Sequence, residues 1–74
     1  MKEGDYVIVV KNNRKYTWVS SLKDNGIKLG TIGKIIGFRN SNYDVIFFDV
    51  DDTFFCKDEE IRLATIDEVR LGLL

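Results

Sequence analysis

The chain has 74 residues, of which 45% are hydrophobic and 31% charged, and its formal net charge is −1. This length allows one small domain, and the composition is that of a globular protein and not of a disordered one. The sequence holds no His and one Cys, which excludes histidine-based catalysis, His metal sites and an intramolecular disulfide. Because no signal peptide and no run of about 20 apolar residues is visible, the expected location is the cytoplasm, with no membrane association.

Runs of β-branched and aromatic residues separated by turn residues predict five short strands. The predicted strands are 6–10, 31–38, 43–48, 53–57 and 61–64. A long loop, 11–30, follows the first strand, and turns are predicted at 39–42 and 49–52. Five short strands in a chain of this size favour a closed barrel, since closure removes the exposed edges of a small sheet.

An apolar tail follows the last predicted strand. Thr65 is a candidate helix N-cap, with Asp67 and Glu68 in the first turn, so a short helix is favoured there. The predicted organisation is therefore an all-β barrel over 1–64 and a short C-terminal extension over 65–74.

Four segments carry a resemblance to a known fold. They are Gly4–Val9, Leu29–Ile36, Tyr43–Phe47 and Asp58–Leu63. Their glycines and alternating apolar residues resemble those of the Src-homology-3 (SH3)-like small barrels. Within that group the sequence is most similar to the KOW-type modules and to the small accessory subunits of photosystem I and ferredoxin–thioredoxin reductase. The resemblance implies a five-stranded SH3-like barrel, and it implies fold more than function.

A second, local resemblance lies in Asp49-Val50-Asp51-Asp52-Thr53, which looks like the first motif of the haloacid-dehalogenase phosphotransferases. In that family Asp49 would be the nucleophile and Asp51 the acid/base, with Mg²⁺ between carboxylate and phosphate. Such a site needs a parallel sheet whose βαβ units take about 30 residues each. Only 21 residues follow Thr53, so the segment is interpreted as a hairpin turn. A Mg-dependent phosphotransferase is the least favoured alternative, and no enzyme activity, metal or cofactor is expected.

Strand alternation assigns the apolar residues to two faces. The residues predicted to point inward are Val7, Val9, Ile32, Val45 and Phe47. Those predicted to point outward are Ile8, Val10, Ile46 and Phe48, with one of Phe54 and Phe55. A small monomer seldom leaves so much apolar surface in water, so something should cover the outer face. The candidates are a partner protein and the chain's own tail, through Ile66, Val69, Leu71, Leu73 and Leu74.

These features favour a non-enzymatic protein-binding module: a small adaptor, an accessory subunit or an inhibitor of a larger complex. The composition also suits a phage or mobile-element protein. Aromatic residues dominate binding hot spots, although Trp18 has the alternative of plugging one end of the barrel. The predicted partner-binding residues are Tyr16, Trp18, Ile46, Phe48, Asp51 and Asp52. The chain is expected to be a monomer or a homo-oligomer formed through the outer apolar face.

A KOW-like nucleic-acid-binding module is the alternative function. Residues 1–43 carry a net charge of +5 and residues 44–74 a net charge of −6, an asymmetry that neighbouring strands in a small sheet can average away. The residues predicted to hold a nucleic-acid backbone are Lys11, Arg14, Lys15 and Arg39. The sequence pI of about 5.3 argues against this alternative.

Cys56 lies beside two Phe and is interpreted as a buried small hydrophobe.

Overall fold

The computed structural model describes residues 1–14, 21–50 and 52–72. The elements in chain order are β1 (Tyr6–Val9), a 3₁₀ turn (Lys23–Asn25), β2 (Ile32–Arg39), β3 (Asn42–Phe47), β4 (Asp52–Cys56), β5 (Ile61–Leu63) and α1 (Ile66–Gly72). The strands form one antiparallel sheet in the order β4-β3-β2-β1-β5. The five predicted strands and the C-terminal helix are confirmed. Within the described residues the sheet is open, because β4 and β5 are its two edges and do not pair, so the predicted barrel closure is not observed.

A tight hairpin joins β2 to β3. Arg39 pairs with Asn42, which leaves Asn40 and Ser41 as a two-residue turn. Both turn residues have positive φ, 53° and 64°, as a type I′ turn requires. Asn tolerates this left-handed backbone well, so the predicted turn at 39–42 forms where the sequence favours it.

The hydrophobic core lies against one face of the sheet, here called the inner face. Its buried members are Val7, Val9, Leu22, Ile27, Ile35, Val45, Phe47, Cys56 and Ile61, with Phe54 packed against them. Cys56 belongs to β4 and Ile61 to β5, so residues of both sheet edges pack into one core and the sheet curls around it. The register of β2 against β3 shifts between Ile35 and Gly37, and a bulge of this kind bends a strand.

Gly33 occupies an inner-face position where no side chain fits. It pairs with Val7 on one side and with Phe47 on the other. A Cβ on this residue would lie 2.6 Å from Val45 Cγ1 and 2.8 Å from the Ile46 carbonyl oxygen. The missing side chain therefore lets the side chains of β3 lie directly over β2.

Ile32 is the one described residue assigned to the wrong face by the sequence. It is buried as predicted, but it pairs directly with Ile8 across β1 and β2 and therefore points to the outer face. Its cover is α1, because a Cβ on Gly72 would lie 2.2 Å from Ile32 Cγ1. The inner position expected for Ile32 is taken by Gly33, one residue later.

The other assignments to faces are confirmed. Val7, Val9, Val45 and Phe47 are buried in the core. On the opposite face Ile8 and Ile46 are half-buried, whereas Val10 and Phe48 are exposed. Phe55 joins this outer face, and Phe54 packs against the core.

Candidate functional site

The outer face carries an aromatic and apolar cluster, which we call the outer-face cluster, made of Tyr6, Lys34, Ile46 and Phe48. The cluster follows from the register, since Lys34 pairs with Tyr6 on one side and with Ile46 on the other. The ring centroids of Tyr6 and Phe48 are 6.1 Å apart, and Lys34 Nζ lies 5.6 Å from the centre of the Tyr6 ring. Phe48 exposes 39% of its surface, so this group is open to a ligand.

A second aromatic site lies nearer the β2–β3 turn, also on the outer face. The guanidinium carbon of Arg39 is 5.0 Å from the centre of the exposed Phe55 ring. Arg39 Nε also lies 3.4 Å from Asp44 Oδ2. The cation therefore divides its interactions between a ring and a carboxylate of neighbouring strands.

An open groove of about 460 Å³ lies beside α1. Its lining includes Tyr6, Leu63, Ile66 and Val69, with Asp5 and Arg70 as charged members. Because Tyr6 also belongs to the outer-face cluster, the apolar surface continues from Phe48 across Tyr6 into the groove.

A dense set of hydrogen bonds fixes the start of α1. The Glu68 amide donates to Thr65 Oγ1 at 3.1 Å, and Glu68 Oε1 accepts from the Thr65 amide at 2.8 Å, which is the reciprocal pattern of a capping box. Arg62 of β5 donates to both carboxylate oxygens of Glu68, at 2.8 and 2.6 Å. The hydrogen bonds from Arg62, and next the one from the Thr65 amide, lower the pKa of Glu68 to about 2. The predicted N-cap Thr65 is confirmed.

The predicted tail covers only one end of the outer face. Val69 is half-buried and Gly72 packs on Ile32, whereas Ile66 and Leu71 are 78% and 73% exposed. Leu73 and Leu74, also offered as covering residues, lie outside the described residues. The outer-face cluster is thus left open by the described part of the tail.

The predicted partner-binding residues fall into three groups. Ile46 and Phe48 lie together on the outer face, next to Tyr6. Asp52 is exposed at the start of β4, where its Oδ1 accepts a hydrogen bond of 2.8 Å from the Thr53 amide. Tyr16, Trp18 and Asp51 lie outside the described residues.

Sequence reasoning missed Tyr6 and Lys34 as members of the site. Tyr6 has the same parity as Ile8 along β1, so alternation already placed it on the outer face. Lys34 could not be placed in the same way, because it has the parity of Ile32, which was assigned to the inner face; its position beside Tyr6 follows from the register of β1 against β2.

The two arginines among the basic residues of the nucleic-acid alternative form separate ion pairs. Arg14 pairs with Glu59, and Arg39 pairs with Asp44. Lys11 is exposed, and Lys15 lies outside the described residues. Each ion pair joins an arginine of the basic half of the sequence, 1–43, to a carboxylate of the acidic half, 44–74. The fold therefore offsets part of the charge asymmetry, as expected for a small sheet in which the two halves are neighbours.

Among the described residues of the segment that resembles a phosphotransferase motif, Asp49 and Val50 follow β3 and Asp52 begins β4, the strand that pairs antiparallel with β3. Phe47 of β3 pairs with Asp52 of β4, and the Val50 amide donates to the Phe47 carbonyl at 3.3 Å. This hairpin differs from the parallel strand and crossover helix that the motif requires. Among the residues that the structure describes, no group of three or more Cys, Asp or Glu side chains could hold a metal ion.

Cys56 is buried in the core, as predicted. Burial, and secondarily the negative charge of Glu60, raises the pKa of its thiol to about 12. A thiol with so high a pKa is a poor nucleophile at neutral pH.

No protein-family model matches this sequence, and neither the curated proteins nor the solved structures contain a match to it. In the described ranges no helix has the length and apolar character needed to cross a bilayer.

Proposed function

We propose that this chain is a non-enzymatic protein-binding module built on an SH3-like barrel, and that it binds its partner through the outer-face cluster. The module would act in the cytoplasm as an adaptor, an accessory subunit or an inhibitor. The strand order supports the fold assignment, since the first strand pairs with the last and one continuous core joins both sheet edges.

One observation carries the proposal: the outer-face cluster stays open although the chain's own helix packs on the same face. Gly72 of α1 covers Ile32, while Phe48 next to Tyr6 remains accessible. Exposed aromatic side chains held by a rigid sheet lose little conformational entropy on binding, which suits a hot spot.

The chemistry of the cluster defines the partner segment. Tyr6, Ile46 and Phe48 offer an apolar surface, and among the described residues Lys34 has a ring contact but no carboxylate within 4.0 Å. A protein segment with a large apolar side chain beside an Asp or Glu would fill the surface and pair with Lys34.

The test is a capture experiment with matched variants. The wild-type chain, Phe48→Ser and Phe38→Ser are each used to capture proteins from the cell of origin, which are identified by mass spectrometry. Phe38 is also an exposed Phe, but it packs on Tyr43 and lies on the other face. A partner retained by wild type and Phe38→Ser and lost with Phe48→Ser supports the proposal. A partner retained equally by all three, or lost equally with both variants, refutes the assigned surface.

Nucleic-acid binding is the second candidate, favoured by the position of Arg39 over the exposed ring of Phe55. An aromatic ring next to a cation can stack a base and hold its phosphate. Titration with single-stranded RNA and DNA at low salt tests this candidate. Salt-sensitive binding that is lost with Phe55→Ser would support it, and absence of binding at low salt would remove it.

A further inference from the structure

The exposed surface of α1 has a self-complementary arrangement of side chains. At 100° per residue, Ile66, Asp67, Arg70 and Leu71 share the solvent side of the helix, and all four are exposed. The opposite side holds the half-buried Glu68 and Val69 and the Gly72 that packs on Ile32. Along the helix, the exposed side therefore carries an apolar, an acidic, a basic and again an apolar side chain.

A two-fold axis through the midpoint of the helix reproduces this order. If a second α1 packs antiparallel about an axis between Glu68 and Val69, position 66 faces position 71 of the other copy and position 67 faces position 70. Each Asp67 then meets an Arg70, and each Ile66 meets a Leu71. A two-fold interface places the same surface on both copies, so each favourable pair occurs twice.

From this complementarity we propose that the chain self-associates as an antiparallel dimer through the exposed side of α1. The second copy is the occupant of this surface, with two apolar contacts flanking two ion pairs. Ile66 also lines the groove beside α1 together with Leu63 and Val69. The Leu71 side chain of the second copy therefore reaches the edge of that groove and extends the apolar contact beyond the helix.

The dimer is expected to be weak. Two contacting helices of seven residues bury less than the roughly 1,200 Å² at which standard interfaces begin. We expect association at concentrations between about 10 µM and about 1 mM, with the average mass rising from 8.6 kDa toward twice that value.

Charge-reversal variants test the pairing. Asp67→Lys alone places two cations opposite each other, and Arg70→Glu alone places two carboxylates opposite each other, so each variant is expected to associate about tenfold more weakly than wild type. When the two variants are mixed, every position 67 faces an opposite charge at position 70, and a heterodimer is expected. Sedimentation equilibrium of each variant and of the equimolar mixture measures both effects, with circular dichroism to check the helix.

An apolar variant keeps the proposal falsifiable if the charge reversals disturb the helix. Leu71→Ser is expected to weaken association, whereas Leu29→Ser, at an exposed Leu on a loop, is the matched control and should associate as wild type does. Wild type that stays at 8.6 kDa up to about 1 mM, or Leu71→Ser that associates as tightly as wild type, overturns the dimer. Phe48→Ser should leave association unchanged, which separates this proposal from the partner site on the outer-face cluster.

Discussion

Replacing Gly72 by Ala tests directly whether α1 rests on the sheet. A Cβ at this position would lie 2.2 Å from Ile32 Cγ1 and 3.0 Å from Ile32 Cβ. Carbon atoms in contact are about 3.5–4.0 Å apart, so the end of the helix must move by roughly 1.3 Å or more. The side chain of Ile32 is β-branched and lies on a strand, and such a side chain has few alternative rotamers.

Two opposing effects set the expected magnitude. Overpacking of this kind costs about 1–3 kcal/mol. An Ala in place of a Gly within a helix gains about 0.5–1 kcal/mol when nothing obstructs it. We therefore expect a net loss of about 1 kcal/mol in the free energy of unfolding, which is a fall in Tm of about 4–8 °C for a domain of this size.

Thermal and urea unfolding followed by circular dichroism measure the change. The sign of the change in the free energy of unfolding tests the contact, because a Gly72→Ala variant more stable than wild type would mean that α1 does not pack on Ile32. The matched control is the same substitution in an Ile32→Ala background, where Cγ1 is absent and only the 3.0 Å approach to the Cβ of residue 32 remains, so Gly72→Ala should cost clearly less there than in wild type. An equal loss in both backgrounds would place the cause within the helix itself and refute the contact.

Three further predictions concern the core and the start of α1. Gly33→Ala should lower the free energy of unfolding by about 1–3 kcal/mol in urea titrations, because its Cβ meets Val45 and the backbone of β3; an unchanged midpoint would contradict the close approach. The folded-state pKa of Glu68 is about 2 and its ordinary value is 4.5, so its ionisation stabilises the fold above about pH 5, and this contribution is lost as the pH falls through 4.5 toward 2. Wild type should therefore lose more Tm than Glu68→Gln over that interval, and parallel Tm profiles would refute the assignment. The thiol of Cys56 should resist iodoacetamide at pH 8 in the folded chain and react in urea, as read by mass spectrometry, and rapid alkylation without urea would show that the thiol is not buried.

The sequence predicts the parts of the fold that depend on local pattern. Alternation places Val7, Val9, Val45 and Phe47 in the core, and Thr65 with an acidic first turn marks the helix. Ile32 was assigned to the wrong face because the inner-face position of β2 opposite Val7 is held by Gly33. A glycine has no side chain to mark it as apolar, so the nearest apolar residue, Ile32, was taken for the inner one.

The parts of the site that escaped prediction depend on register and on contacts between distant segments. Lys34 reaches the Tyr6 ring only because β1 and β2 pair in one particular register. The same holds for Gly72 on Ile32, which lie 40 positions apart in the sequence. No local signal in the sequence specifies either contact, since both arise from the packing of completed elements.

Arg62 has a consequence for the behaviour of the sheet edge that it occupies. The Val10 amide donates to the Glu60 carbonyl and the Ala64 amide to the Tyr6 carbonyl, so alternation along β5 turns the Leu63 carbonyl away from β1. Arg62 donates to that carbonyl at 3.1 Å while it also holds Glu68. An edge carbonyl next to an exposed Leu is a template for a foreign strand, and here a guanidinium already occupies it. The residue that fastens the helix thus also occupies the carbonyl at which a foreign strand would pair with β5.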